Sequence, residues 1–245
     1  MRQKIGILWL FFCSQQGFGS GVDLDQLLRN ADLARSGSEE GMTWTVDILS
    51  HEQGVQTESS FLVKTRGDKA LVEALSPARS KGELMLFQDR LLWFFKPGLS
   101  RPIALSTRQR LSGQAANGDI ARTNYARDYQ ASLKGEETLA GVPCYVLELV
   151  AKAKDTTYDK ISYWVSKATS QGQKARYKAI DGTALKNASF KYGTKMSIKG
   201  KAIDFIQEIR IEDAQSEQNF SIMKFKGSKL ESHADALFNV NSLSR

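Results

Sequence analysis

Glu83-Leu-Met-Leu-Phe-Gln-Asp-Arg-Leu-Leu-Trp-Phe-Phe-Lys96-Pro97-Gly98 holds two apolar runs, Leu84 to Phe87 and Leu91 to Phe95, parted by the polar tripeptide Gln88-Asp89-Arg90. Each run is about one strand long and the break is short, which is the pattern of a β-hairpin. Neither arm alternates apolar with polar residues, so both faces of both strands need apolar cover. Two arrangements provide it. One is a sheet between two layers; the other is a barrel-like sheet with an apolar interior and a further layer packed outside.

Upstream of the hairpin, Asp23 is an N-cap with Gln26 three residues on, and Leu24, Leu27, Leu28, Ala31 and Ala34 follow at helical spacing up to Gly37. From Met42 the period becomes two. Met42, Trp44, Val46 and Ile48 share one face, while Thr43, Thr45 and Asp47 share the other. Gln53-Gly54 turns the chain into a strand over Val55 to Thr65 with Phe61 and Val63 inward, and Gly67-Asp68 into another over Ala70 to Leu75. Downstream, Pro97, Pro102, Gly113 and Gly118 punctuate a stretch with one short helix candidate, Asp119 to Asn124. Strands resume over Tyr129–Lys134, Cys144–Ala151, Lys160–Ser166, Lys174–Ile180, Ala184–Tyr192, Ile203–Ile211 and Phe220–Phe225, with a short helix near His233 to Phe238. Successive hairpins of this kind predict an antiparallel sheet curved into an open barrel.

The chain opens on Met1-Arg2-Gln3-Lys4, an apolar run from Ile5 to Phe12, and small residues at Gly17, Gly19, Ser20 and Gly21. That is the layout of a secretory signal peptide over residues 1–20, leaving residues 21–245 as one domain of an exported, periplasmic protein. Cys13 poses the question of a lipid anchor. Phe11 and Phe12 precede it where a small residue is the norm, so no anchor is expected there. Cleavage leaves Cys144 alone, and the fold must rest on its core rather than on a disulfide.

Catalytic signals are sparse. The only histidines are His51 and His233, far apart in sequence, so neither a local metal site nor a cofactor is expected. Ser221 and Lys224 match a Ser-x-x-Lys spacing, but three residues apart on a strand they point to opposite faces. Glu39-Glu40, Glu136-Glu137 and Glu212-Asp213 sit beside turns and read as solvated. Binding is therefore favoured over catalysis, with a hydrolase as the third class. Charge is unevenly spread: residues 152–201 hold twelve Lys or Arg against three Asp, a surplus of nine where the whole chain has seven. Lys174, Arg176 and Lys178 alternate with Ala175, Tyr177 and Ala179. They form either a solubilising face or a docking face for an acidic partner or anionic headgroups. No nucleic-acid recognition module is present, and nucleic acid is not an expected partner.

A longer ordered series then stands out. Trp93-Phe94-Phe95-Lys96-Pro97 leads to Arg101-Pro102-Ile103-Ala104-Leu105-Ser106, Arg110-Leu111-Ser112-Gly113, Gly118-Asp119-Ile120-Ala121, Asn124-Tyr125 and Asp128-Tyr129. Gly141-Val142-Pro143-Cys144-Tyr145-Val146-Leu147-Glu148-Leu149, Tyr158-Asp159-Lys160-Ile161 and Trp164-Val165 continue it. Over roughly residues 40 to 240 the chain resembles the bacterial outer-membrane lipoprotein-sorting family, relatives of the periplasmic carrier LolA. The resemblance implies a mainly β fold with short α-helices: an incomplete antiparallel barrel of about eleven strands, with a helical lid over an apolar cavity. It implies lipid or lipidated-protein cargo, an inner-membrane transporter of the resistance-nodulation-division or Lol-type ABC kind, and an outer-membrane acceptor. No arginine here aligns with the one the carrier uses in its cavity, so no functional residue is carried over.

The resemblance decides between the two arrangements of the hairpin in favour of an interior cavity. Inward faces then predict a lipid-binding cavity lined from Trp44, Phe61, Phe87, Trp93, Phe95 and Tyr145. The irregular segment from Ser106 to Asn124 is expected to be its lid, held by few apolar anchors, Leu111 and Ile120, and therefore cheap to open. The alternative is a non-carrying accessory or regulatory subunit of an envelope transporter.

Overall fold

Alternating burial along the strands shows how the sheet is used. The computed structural model describes residues 21–36, 39–88, 91–121, 124–198 and 200–243. The expected signal peptide with Cys13, the helix end at Gly37 and the Asp89-Arg90 turn lie outside these residues. In strand β1 (Met42–Glu52), Met42, Trp44, Val46 and Ile48 are buried, as their spacing predicted. Strands β2 (Val55–Arg66), β3 (Lys69–Ser76), β4 (Leu84–Gln88), β5 (Leu91–Phe95) and β6 (Ile103–Leu105) follow as antiparallel neighbours. After a small ribbon, β7 (Arg110–Ser112) and β8 (Ala115–Ala116), come β9 (Tyr129–Leu139), β10 (Val142–Ala151), β11 (Lys160–Ser166), β12 (Gly172–Lys178), β13 (Ala184–Ile198), β14 (Lys201–Asp213) and β15 (Phe220–Leu230).

The main sheet has thirteen strands in the order β6-β5-β4-β3-β2-β1-β15-β14-β13-β12-β11-β10-β9, open at β6 and β9. Chain order is kept except where β15 returns to pair with β1. The sheet curls. Phe87 and Leu91 of β4 and β5 line the same small hollow as Tyr129 of β9, although these strands lie near opposite ends of the order. The fold is thus an incomplete antiparallel barrel, with more strands than the eleven or so expected. β6, β7 and β8 come from the stretch that carried few periodic signals beyond one short helix candidate.

Helix α1 (Leu24–Ser36) begins where Asp23 accepts the Gln26 amide at 2.9 Å. It lays Leu27, Leu28 and Ala31 onto the inner core. Of the helix expected over Asp119 to Asn124, residues 122 and 123 lie outside the described ones, and the others form no α-helix. A 3-10 turn spans Asn117–Asp119, and Asn124 instead caps α2 (Tyr125–Asp128) by accepting the Arg127 amide at 3.0 Å. Asp119 is occupied as well, accepting the Ala116 amide at 2.9 Å. Among the described residues no helix is long and apolar enough to cross a membrane.

The two-faced hairpin behaves as its composition requires. Met85, Phe87, Leu92 and Phe94 join the inner core. Leu84, Leu86, Trp93 and Phe95 face outward and pack with Leu237, Phe238, Val240 and Leu243 of the C-terminal segment. That segment is tied down by Arg66 donating to the His233 carbonyl at 2.7 Å and by His233 meeting Thr43 Oγ1 at 2.9 Å.

Candidate functional site

The interior divides into two unequal parts. Beneath α1 and α2 the space is filled. Arg35, buried on the apolar stripe of α1, has its guanidinium 4.9 Å from the centre of the Tyr125 ring and 4.6 Å from that of Phe190. Tyr125 meets Tyr129 and Tyr163 edge-on, and Tyr158 stacks on Tyr177 at 3.9 Å. Asp32, one turn earlier on the same stripe, accepts the Ala126 amide at 2.9 Å and so clamps α1 to α2. Burial pushes the Asp32 carboxyl up to about 7. Burial also raises Asp119, which accepts from the Tyr158 hydroxyl at 2.8 Å, and lowers Lys186, whose ammonium donates to the Gln114 carbonyl. The hollow bordered by Phe87, Tyr129 and Tyr158 is only about 60 Å³.

The other part is a cleft of about 660 Å³ between strands β2 to β6 and the segment that crosses them. Each of six consecutive strands contributes one apolar residue: Phe61, Ala74, Met85, Phe94, Leu105 and Leu111. Phe61 lies directly opposite Ala74, and Met85 opposite Phe94, so the side chains of each pair share a face. Glu58, Arg79, Glu83 and Arg110 also line the cleft and give it a charged margin. An apolar floor with a few polar groups, at a volume within the usual range of roughly 300 to 1,000 Å³, is what a small-molecule site requires.

The six residues predicted for the cavity scatter. Phe61 lines the cleft. Trp44 is fully buried in the core, its ring 6.0 Å from that of Phe205, and Phe87 borders the small hollow. Tyr145 is half-buried against the core with the Lys167 ammonium 4.9 Å from its ring centre. Trp93 and Phe95 are a correction. They lie outside, under the C-terminal segment, because Trp93 pairs with Leu86 and Phe95 with Leu84, both on the outer face. Met85, Phe94 and Leu105 were missed in the sequence. Phe94 was available from parity, since it stands between the two outward aromatics.

Of the predicted lid anchors, Ile120 is fully buried in the core, and Leu111 is half-buried in the cleft. The segment is not sparsely held. Ser112 meets Ser50 at 3.1 Å, and the Gln114 amide donates to Ser221 Oγ at 2.8 Å. A Cβ at Gly113, where φ is +53°, would lie 2.5 Å from side-chain atoms of Ser50 and of Ser221. Arg110 reaches Glu52 at 2.8 Å, Arg108 reaches Asp159 at 2.7 Å, and Ala115 to Ala121 are all buried. Polar ties to strands, invisible to a count of large apolar residues, hold it in place.

The predicted basic face is on the outside of β12, and two of its three charges are engaged. Lys178 pairs with Glu148 at 2.7 Å, and Lys174 lies 5.0 Å from the centre of the Trp164 ring. Arg176 is exposed, its Nε donating to Asn187 at 3.2 Å. Ser221 is fully buried against Ser50, whereas Lys224 is exposed, so the two do point apart.

A family model described as "uncharacterized protein" matches residues 66–245. Among solved structures, a LolA superfamily protein from Nitrosomonas europaea is 30% identical with a TM-score of 0.80, covering 91% of this chain and 100% of that one. A DUF1329 family protein from Desulfovibrio piger is 22% identical with a TM-score of 0.74, over 90% and 96% of the two chains. A protein described as an outer membrane lipoprotein-sorting protein domain, from Vibrio parahaemolyticus, is 17% identical with a TM-score of 0.75, over 90% and 98%. The last two likenesses concern the fold alone. No curated protein matches the chain.

Proposed function

The chain belongs to the LolA superfamily, and from that premise we propose that it is a periplasmic carrier, exported by residues 1–20, that holds an acyl chain in the cleft over β2 to β6. The cargo is a lipoprotein's acyl chains or another lipid, received from an inner-membrane transporter of the resistance-nodulation-division or Lol-type ABC kind and passed towards the outer membrane. One observation carries the reading: about 660 Å³ of space lined by one apolar side chain from each of six strands. Burying a chain of about 16 carbons there contributes on the order of 12 kcal/mol gross, less the cost of association. A chain held that firmly leaves slowly on its own, which is why the reading includes an acceptor.

Native mass spectrometry of protein purified from a membrane-containing lysate tests it. The expected result is a lipid adduct on the wild-type chain that is lost in Leu111→Asp. That substitution places a charge in the cleft at a half-buried position. A wild-type chain that is consistently empty would overturn the proposal.

A further inference from the structure

The cleft does not end at Arg110. Beyond it lies a second chamber of about 400 Å³, bordered by Glu52, Gln114, Asp213 and Asn219, and the two spaces share Thr57 and Arg110. The chemistry changes across that junction. On one side the lining is Phe61, Met85, Phe94 and Leu111; on the other it is carboxylates and amides. Resting on the carrier reading, we infer that the ligand is a zwitterionic amphiphile, a phosphoethanolamine-headed glycerophospholipid, with an acyl chain in the cleft, phosphate on Arg110 and ammonium between Glu52 and Asp213.

The resting contacts fit this exchange. Arg110 and Glu52 already form an ion pair at 2.8 Å, but the Arg110 side chain is 64% exposed, and a pair so open to water is weakly held. A zwitterion brings both missing partners at once. Its phosphate replaces Glu52 on the guanidinium, and its ammonium replaces Arg110 on the carboxylate, so neither charge is stranded. An anionic head would satisfy Arg110 and leave two carboxylates facing it. Asp213 is held in position, since one of its oxygens accepts the Gln215 and Ser216 amides at 2.8 and 3.1 Å.

Delipidated full-length protein is incubated with vesicles of phosphatidylethanolamine mixed with an equal amount of phosphatidylglycerol, and the captured lipids are counted by native mass spectrometry. The expected preference is for phosphatidylethanolamine by about fivefold or more. Glu52→Gln combined with Asp213→Asn, which keeps the shape and the amide-accepting oxygen of each side chain, is expected to abolish or reverse that preference. Arg110→Gln is expected to lower capture of both lipids. Phosphoethanolamine alone, the same head without chains, is expected not to displace bound lipid; displacement would show a site for a small soluble ligand and overturn the inference. Capture without head preference, or a preference untouched by the double variant, would overturn it while leaving the carrier reading standing. Absence of capture from every vesicle would overturn both.

Discussion

Asp32 and Arg35 carry the most unusual chemistry at the scale of single residues: two ionisable side chains on the buried stripe of a helix, among tyrosines. The stripe was legible as Leu24, Leu27, Leu28, Ala31 and Ala34, but the same spacing also places Asp32 and Arg35 on the inner side. Helical periodicity indicates which face is covered, not what a charge on that face will meet there. For Asp32 the consequence is a pH dependence. Burial raises its carboxyl to about 7, against the opposing pull of the Ala126 and Tyr125 amides and of Arg35. Between about pH 4 and about pH 7 the folded chain therefore keeps a proton that the unfolded chain has released. Its contribution to stability falls as pH rises through that window, and the deficit is complete above it. Asp32→Asn is neutral throughout and keeps an oxygen for the Ala126 amide. Whatever constant cost the substitution carries, the variant is expected to gain on the wild type by on the order of a few kcal/mol between about pH 5 and about pH 8. Urea unfolding at the two pH values measures it, and parallel profiles would exclude Asp32 as the titrating group.

Among elements, the β4–β5 hairpin shows both what composition can say and where it stops. Two unalternating apolar arms required cover on both faces, and both covers exist: the inner core and the C-terminal segment. Which residue goes to which face depends on register. Leu86 pairs with Trp93 and Phe87 with Leu92, and a shift of one residue would exchange the faces. Trp93 and Phe95 were assigned inward as apolar side chains on strand faces that the barrel arrangement turns inward, where pairing sends them out. The short strands β6, β7 and β8 were illegible for a different reason: they are held by pairing and by ties from other strands rather than by a repeating pattern of their own. Phe238, almost fully buried against Leu86 and its neighbours, is the residue on which the outer cover turns. Phe238→Ala is expected to cost about 3 to 5 kcal/mol. Hydrogen exchange should show protection lost first in Leu84–Phe95 and only later in β10 to β13. Uniform loss across the sheet would mean that the outer layer is not a separate support.

For the molecule as a whole, the decisive feature is that one crossing segment both roofs the cleft and fastens the sheet. Its first part, Gln109 to Gly113, borders the open cleft, whereas its second part, Gln114 to Ala121, is buried in the interior. The second part also receives the ties that span the curl: the amide of Gln114 is on Ser221 of β15, the ammonium of Lys186 from β13 is on the Gln114 carbonyl, and Asp119 accepts from Tyr158. Opening the entire segment would strand these buried polar groups, each at about 1 to 3 kcal/mol. Moving only the first part gives up the part-exposed Arg110–Glu52 and Arg108–Asp159 pairs, the Ser112 contact with Ser50 and the short β7–β8 pairing, and lifts half-buried Leu111, but leaves the ties of Gln114 and Asp119 in place, a smaller cost. Loading with lipid is therefore expected to act on half a lid. Hydrogen exchange with and without bound lipid should change over residues 106–113 and leave residues 114–121 as protected as before. Changes spread evenly over 106–121 would mean that the segment moves as one body, and unchanged exchange throughout would place entry elsewhere, at the open edge of β6.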